Sequence, residues 1–277
     1  MNKNKLKALC LQVSQKSGLS YNSIQTYYFL ERILKQIADS DFSSDFIFKG
    51  GFLLSNIIGL EERTTRDIDF SIRNFSLEEE ILREKFEIIL RENGDDISFD
   101  LIDLKSIKDD DLYGGYRVEI MCKLENIKEK IHIDIATGDP ITPKEVNYNY
   151  KSIFTGENFN LKAYNVETIL AEKIETICSR GVFNSRSKDF FDVYIIYLLK
   201  KEEINFDNLK NACINTFSYR GNVFNVDELL NTIDLISSNE NILLKWNNYI
   251  KNQINYFNIS FEEVILNIKE LIQKINS

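Results

Sequence analysis

The sequence is short of histidine, proline, cysteine and tryptophan: its 277 residues hold one, two, four and one of them. Cys10, Cys122, Cys178 and Cys213 are scattered, with no Cys-x-x-Cys pair. A zinc site has no ligand pattern to rest on, and the thiols are expected as reduced core residues of a cytoplasmic protein. No apolar run approaches the roughly 18–20 residues that span a bilayer, so no membrane partner is expected. The basic opening Met1-Asn-Lys-Asn-Lys-Leu-Lys is followed by Gln12, Ser14, Gln15 and Lys16, which argues against a cleaved signal peptide. Positive charge is also scarce: 34 Lys and Arg against 43 Asp and Glu leave a net −9. Non-specific nucleic-acid binding draws its affinity from Lys and Arg on phosphates, so this chain is a poor candidate for it; a local basic groove remains open.

What is present suits a folded body. The chain is 43% hydrophobic and 28% charged, and is long enough for one large domain or two ordinary ones. Ser20 is placed to cap a helix whose apolar positions run from Ile24 through Tyr27, Tyr28, Leu30, Ile33, Leu34 and Ile37. Phe46-Ile-Phe reads as a short buried strand, Lys49-Gly50-Gly51 as a turn, and Phe52 to Ile58 as a helix. Asp67 to Ile72 alternates as a strand, and Leu77 to Glu92 is an amphipathic helix. Strands follow over residues 97–104, 116–124 and 130–136, punctuated by Gly114-Gly115 and Glu125-Asn126. From Val166 onward the pattern is nearly all helical. Helices, then a mixed sheet, then helices predict an α+β protein, with a sheet-bearing domain over 1–145 and a mainly helical domain over 146–277.

The chemistry begins at Asp67-Ile68-Asp69-Phe70. Side chains of a strand alternate between its faces, so Asp67 and Asp69 share one face while Ile68 and Phe70 enter the core. Two neighbouring carboxylates repel each other unless water or a hard cation such as Mg²⁺ relieves them. Taken alone, the pair is a weak metal signal that a solvated strand edge also explains. Ile131-His132-Ile133-Asp134-Ile135 has the same alternation, with His132 and Asp134 opposite the isoleucines. If that strand lies beside the first, Asp134 becomes a third acid, the number that holds two metal ions for in-line phosphoryl transfer. His132 is equally an ordinary strand residue. Gly50-Gly51, between a strand and a helix, would let backbone N–H groups approach a phosphate, although glycine pairs are common in turns. In the helical half, Lys173 and Arg180 share a face, as do Lys188 and Asp192, and Asp189 and Asp192. That arrangement suits a phosphate contact or a solvated face with ordinary charge pairs.

Taken together, Phe48-Lys-Gly50-Gly51, Asp67-Ile-Asp69 and Asp134 resemble the nucleotidyltransferase superfamily of DNA polymerase beta. The spacer before Asp67 is a little long, and Phe52 stands where relatives often carry Thr or Ser, which leaves Ser55 as the hydroxyl that could replace it. Arg63-Thr-Thr-Arg66-Asp-Ile-Asp-Phe, Asp134-Ile-Ala-Thr-Gly-Asp139, Glu172-Lys173 and Arg186-Ser-Lys188-Asp189-Phe-Phe-Asp192 narrow the resemblance to the AbiEii/AbiGii toxin family over about residues 20–200. It implies a nucleotidyltransferase fold and transfer of a nucleotide from an NTP to an acceptor, such as tRNA or another RNA end. It also implies a toxin that arrests growth within a toxin–antitoxin, phage-defence system, with a cognate antitoxin acting directly or indirectly. Asp67, Asp69 and Asp134 would hold Mg²⁺ or Mn²⁺ and serve catalysis with Lys173 and Asp189. Gly50, Gly51, Ser55, Thr65, Lys173, Lys188 and Asp192 would contact the nucleotide. A small-molecule nucleotidyltransferase and an inactive nucleotide-binding module are the alternatives.

Overall fold

The computed structural model describes residues 1–60, 65–91, 97–107, 114–137, 140–251 and 258–276. Arg63, Thr64, Gly138 and Asp139 of the quoted motifs, and Glu92 at the end of the expected helix, lie outside these residues. The chain divides into two compact units, residues 1–138 with 146–163, and residues 139–145 with 164–277.

The first unit opens with two helices, α1 (Lys3–Ser17) and α2 (Tyr21–Asp39). Ser20 caps α2 by accepting a hydrogen bond from the Ser23 amide. Strand β1 (Phe46–Lys49), helix α3 (Gly50–Ile58), strand β2 (Asp67–Ile72) and helix α4 (Glu79–Arg91) follow. Three longer strands come next, β3 (Ser98–Ile107), β4 (Gly115–Leu124) and β5 (Ile127–Ala136), then β6 (Val146–Lys151) and β7 (Asn158–Ala163). All seven join one mixed sheet in the order β3-β4-β5-β2-β1-β7-β6. The β2–β5 and β1–β7 pairings are parallel and the others antiparallel.

The sheet thus takes in two strands beyond residue 145, the boundary expected from the sequence. Tyr150, Phe159, Leu161 and Ala163 are buried in it. Ile68 and Phe70 of β2, Ile131, Ile133 and Ile135 of β5, and Val118, Ile120 and Cys122 of β4 form the core face. Helices α2 and α4 pack against the sheet. Each such side chain contributes about 1.5–3 kcal/mol of burial, which fixes the register and turns the alternate, charged positions outward.

In the second unit, α5 (Val166–Arg180), α6 (Ser187–Lys200), α7 (Phe206–Tyr219), α8 (Val226–Ser237), α9 (Glu240–Lys251) and α10 (Phe261–Ile275) pack together. Asn165 ties this unit's two segments: its Oδ1 accepts from the Thr168 amide, and its Nδ2 donates to the carbonyls of Thr142 and Lys144. Among the described residues no helix is long and apolar enough to cross a membrane.

Candidate active site

The register of β2 against β5 sets Asp67 beside His132 and Asp69 beside Asp134. Paired residues in adjacent strands point to the same face, so Asp67, Asp69 and Asp134 project together, away from Ile68, Ile133 and the core.

Asp69 is the most constrained of the three. Across the β1–β2 pairing it faces Lys49. Its Oδ2 accepts from the Gly51 amide at 3.3 Å, so the carboxylate sits at the start of α3. Gly50 has φ +71°, and a Cβ built there would lie 2.7 Å from the Asp69 Cβ and closer still to its carboxylate. Gly50 is therefore required twice, for its backbone conformation and for the space it leaves. The Gly51 amide, expected to face a phosphate, is here engaged by the aspartate.

Burial pushes the Asp69 carboxyl above its usual range, and the charges of Asp134 and Asp67 push it further; Lys49 and the Gly51 N–H hold it down in part. Removing those repulsions needs either a proton or a cation. Asp67 is more open, its side chain 42% exposed, with His132 Nδ1 3.7 Å from Oδ1. That distance is an electrostatic contact, too long for a hydrogen bond. Asp134 is held differently. Arg117 of β4 donates from Nε to Oδ1 at 2.8 Å and from Nη2 to Oδ2 at 2.7 Å. Arg117 was not singled out from the sequence, although counting back from the Glu125-Asn126 turn sets it opposite Asp134. Further along the same face, Lys105 and Lys130 clasp the buried Glu119 and depress its carboxyl to about 2.

The donor set suits a hard divalent ion at Asp67 and Asp69, because two adjacent carboxylates, one of them raised by burial and by the acids around it, are what such an ion neutralises. Among the described residues no three His, Cys, Asp or Glu side chains converge as a metal-holding group. Both oxygens of Asp134 accept from Arg117.

Thr65 turns its hydroxyl to the Asp67 carbonyl at 3.4 Å. Ser55 requires a correction. It is 1% exposed, donates to the Phe52 carbonyl at 2.9 Å and shares a hydrogen bond with the Tyr27 hydroxyl, so it is a core residue that a phosphate cannot reach.

The remaining expected residues belong to the second unit. Lys173 of α5 reaches α6, its Nζ 2.6 Å from Asp189 Oδ1 and 3.0 Å from Asp192 Oδ2. Both aspartates are buried, whereas the lysine side chain keeps 20% exposure. Arg186 Nε lies 3.2 Å from Asp189 Oδ2 without the alignment of a hydrogen bond, which leaves that oxygen only an ion-pair contact. Lys188 stands exposed in the first turn of α6.

Residues 32–265 match the family model for the nucleotidyl transferase AbiEii toxin of type IV toxin–antitoxin systems. No curated protein matches in sequence. Among solved structures, JHP933 from Helicobacter pylori has a TM-score of 0.54 at 17% identity, covering 93% of each chain. A second H. pylori protein, assigned as a nucleotidyltransferase, has a TM-score of 0.53 at 19% identity, covering 93% of this chain and 96% of its own. At these identities the likeness is one of fold.

Proposed function

The chain belongs to the AbiEii family of nucleotidyl transferase toxins of type IV toxin–antitoxin systems, and from that premise we propose that Asp67 and Asp69 form its metal-dependent transfer centre. The observation that carries this reading is the placement of the Asp69 carboxylate, seated on Gly50 and the Gly51 amide, with Asp67 on its own strand and Asp134 paired to it from β5.

Asp67 and Asp69 would hold Mg²⁺ or Mn²⁺, with Asp134 as the third acid of the set. A bound divalent ion would neutralise charge on the triphosphate and make the acceptor hydroxyl more acidic. The acceptor hydroxyl gives its proton to water and its oxygen bonds to the α-phosphorus, the α–β phosphoanhydride bond breaks, and pyrophosphate departs with that electron pair. The chain's own part is positioning. Gly50 and Gly51 hold the Asp69 carboxylate, Ile68 and Phe70 anchor β2, and Arg117 holds Asp134. Thr65 lines the approach to Asp67. Lys173 would meet the triphosphate through its exposed portion and Lys188 would orient the nucleotide or the acceptor, while the buried Asp189 and Asp192 would act through Lys173 by holding its ammonium.

The acceptor is an RNA end, such as that of tRNA. Transfer there arrests growth in the cytoplasm, a cognate antitoxin opposes it directly or indirectly, and the system serves abortive infection against phage. The test incubates the protein with Mg²⁺, total RNA and each of the four labelled NTPs in turn. Label enters RNA with the wild type and not with Asp67→Ala/Asp69→Ala. Equal labelling by both proteins overturns the reading, and labelling of a small molecule in place of RNA reassigns the acceptor.

A further inference from the structure

The helical unit carries a cavity of about 450 Å³ that is separate from the acid pair in its lining. Ser185, Arg186, Ser187 and Lys188 supply one wall, at the start of α6; Lys245, Asn248 and Tyr249 of α9 supply the other. Positions 245, 248 and 249 are three and four residues apart, so they share one face of α9. The adjoining stripe of that helix, next to Tyr249, carries the buried Ile242, Trp246 and Ile250.

The lining holds three cations and no carboxylate, in a chain whose net charge is −9. Arg186 is shared with Asp189, itself already paired with Lys173. The α6 terminus adds its positive end and has no side-chain cap. Just before it, the buried Asn184 accepts from the Arg186 amide through Oδ1, and its Nδ2 has no hydrogen-bond partner. The α9 wall has a different character. Asn248 offers an amide that can both donate and accept, beside the aromatic ring of Tyr249. The Tyr249 ring is backed by Phe191 at 6.0 Å and Trp246 at 5.9 Å, which fixes it as a rigid surface.

Cations at one wall and an amide with a ring at the other match the two ends of one ligand class. We propose that this cavity binds a phosphorylated nucleoside, free or at the end of a strand, with phosphate toward Arg186, Lys188 and Lys245 and the base toward Tyr249. The proposal extends the role given to Lys188 but does not require transfer at Asp67 and Asp69.

The experiment is calorimetry on the whole protein without divalent ions, using a nucleoside monophosphate, the matching nucleoside, inorganic phosphate and a 5′-phosphorylated dinucleotide. Lys245 is exposed, so Lys245→Glu should fold as the wild type does. The monophosphate binds the wild type, and Lys245→Glu weakens it at least tenfold, whereas Asp67→Asn/Asp69→Asn leaves it unchanged. Tyr249→Ala weakens the monophosphate and leaves inorganic phosphate as it was. Binding of the dinucleotide alone supports the site and assigns it to a strand end. Binding that ignores Lys245→Glu, or that disappears with Asp67→Asn/Asp69→Asn, overturns the proposal. Equal affinity for phosphate and the monophosphate overturns its nucleoside half. Loss of RNA labelling with this binding intact would sink the transferase reading and spare the cavity.

Discussion

Asp69 rests on Gly50: its carboxylate occupies the space that any side chain at position 50 would need. A left-handed backbone at Gly50 and the Gly51 amide together form the seat. Gly50→Ala must place an L-residue at φ +71°, which costs about 1–2 kcal/mol before any clash. It must also push the carboxylate off the seat. The expected result is a melting temperature lower by at least a few degrees, with transfer down on the order of a hundredfold, the usual cost of an ångström of misplacement. Near-normal transfer by a folded Gly50→Ala would show that the seat is dispensable.

The charge on Asp69 makes stability depend on pH and on cation. Its carboxyl titrates higher in the fold than its ordinary 3.8, so the folded state binds the proton more tightly than the unfolded chain does. That contribution is fully present below pH 3.8 and is lost as pH rises through the folded value. Asp69→Asn removes the dependence and can keep the acceptor for Gly51 N–H. In urea unfolding without divalent ions, the variant should therefore show a flatter stability curve above that pH and greater stability at pH 7. Adding Mg²⁺ should raise the wild-type melting temperature more than the variant's. Equal responses would remove Asp69 from the cation site.

These features differ in how far the sequence discloses them. The Asp67-Ile-Asp-Phe alternation and the Ser20 cap are local, and a strand or a helix end expresses them wherever it is packed. Arg117 against Asp134 depends on the hairpin register and becomes readable once Glu125-Asn126 is taken as a two-residue turn. The strands at 146–151 and 158–163 are harder, because Asn and Lys surround Tyr148 and Tyr150, and β6 lies at the sheet edge. Ser55 misleads for another reason. It lies among Phe52, Leu53, Leu54 and Ile58 on a helix buried around much of its circumference, where spacing alone does not choose an outward face. Lys173 carries partners from the next helix, and no i,i+4 rule reports those.

Arg117 gives a prediction of opposite sign to the usual loss. Its pair with Asp134 is partly exposed, with Arg117 at 40%, so Arg117→Gln should cost less than about 1 kcal/mol of stability. The change releases Asp134 and adds one uncompensated negative charge beside Asp67 and Asp69. Mn²⁺ affinity should rise, by a factor on the order of ten if the gain is about 1.4 kcal/mol. Titration of Mn²⁺ by electron paramagnetic resonance measures this directly. Weaker binding would mean that Arg117 supports the cation site by orienting Asp134.

Lys173 poses the question of position against contact. Its ammonium lies within 3.0 Å of both Asp189 and Asp192, whose side chains are 1% and 0% exposed. Lys173→Met leaves two buried carboxylates without that cation. Breaking a buried pair from one side costs about 3–5 kcal/mol, which should lower the melting temperature on the order of 10 °C. Loss of transfer in that variant alone would therefore say nothing about the triphosphate. Adding Asp192→Asn to Lys173→Met reduces the buried charge and should recover much of the melting temperature, since neutralising the partner relieves the uncompensated carboxylate. Transfer is then measured on the folded double variant with each NTP. An activity that stays absent where the folded Asp192→Asn single variant retains it assigns Lys173 to the nucleotide; an activity that returns with stability confines it to holding α5 against α6.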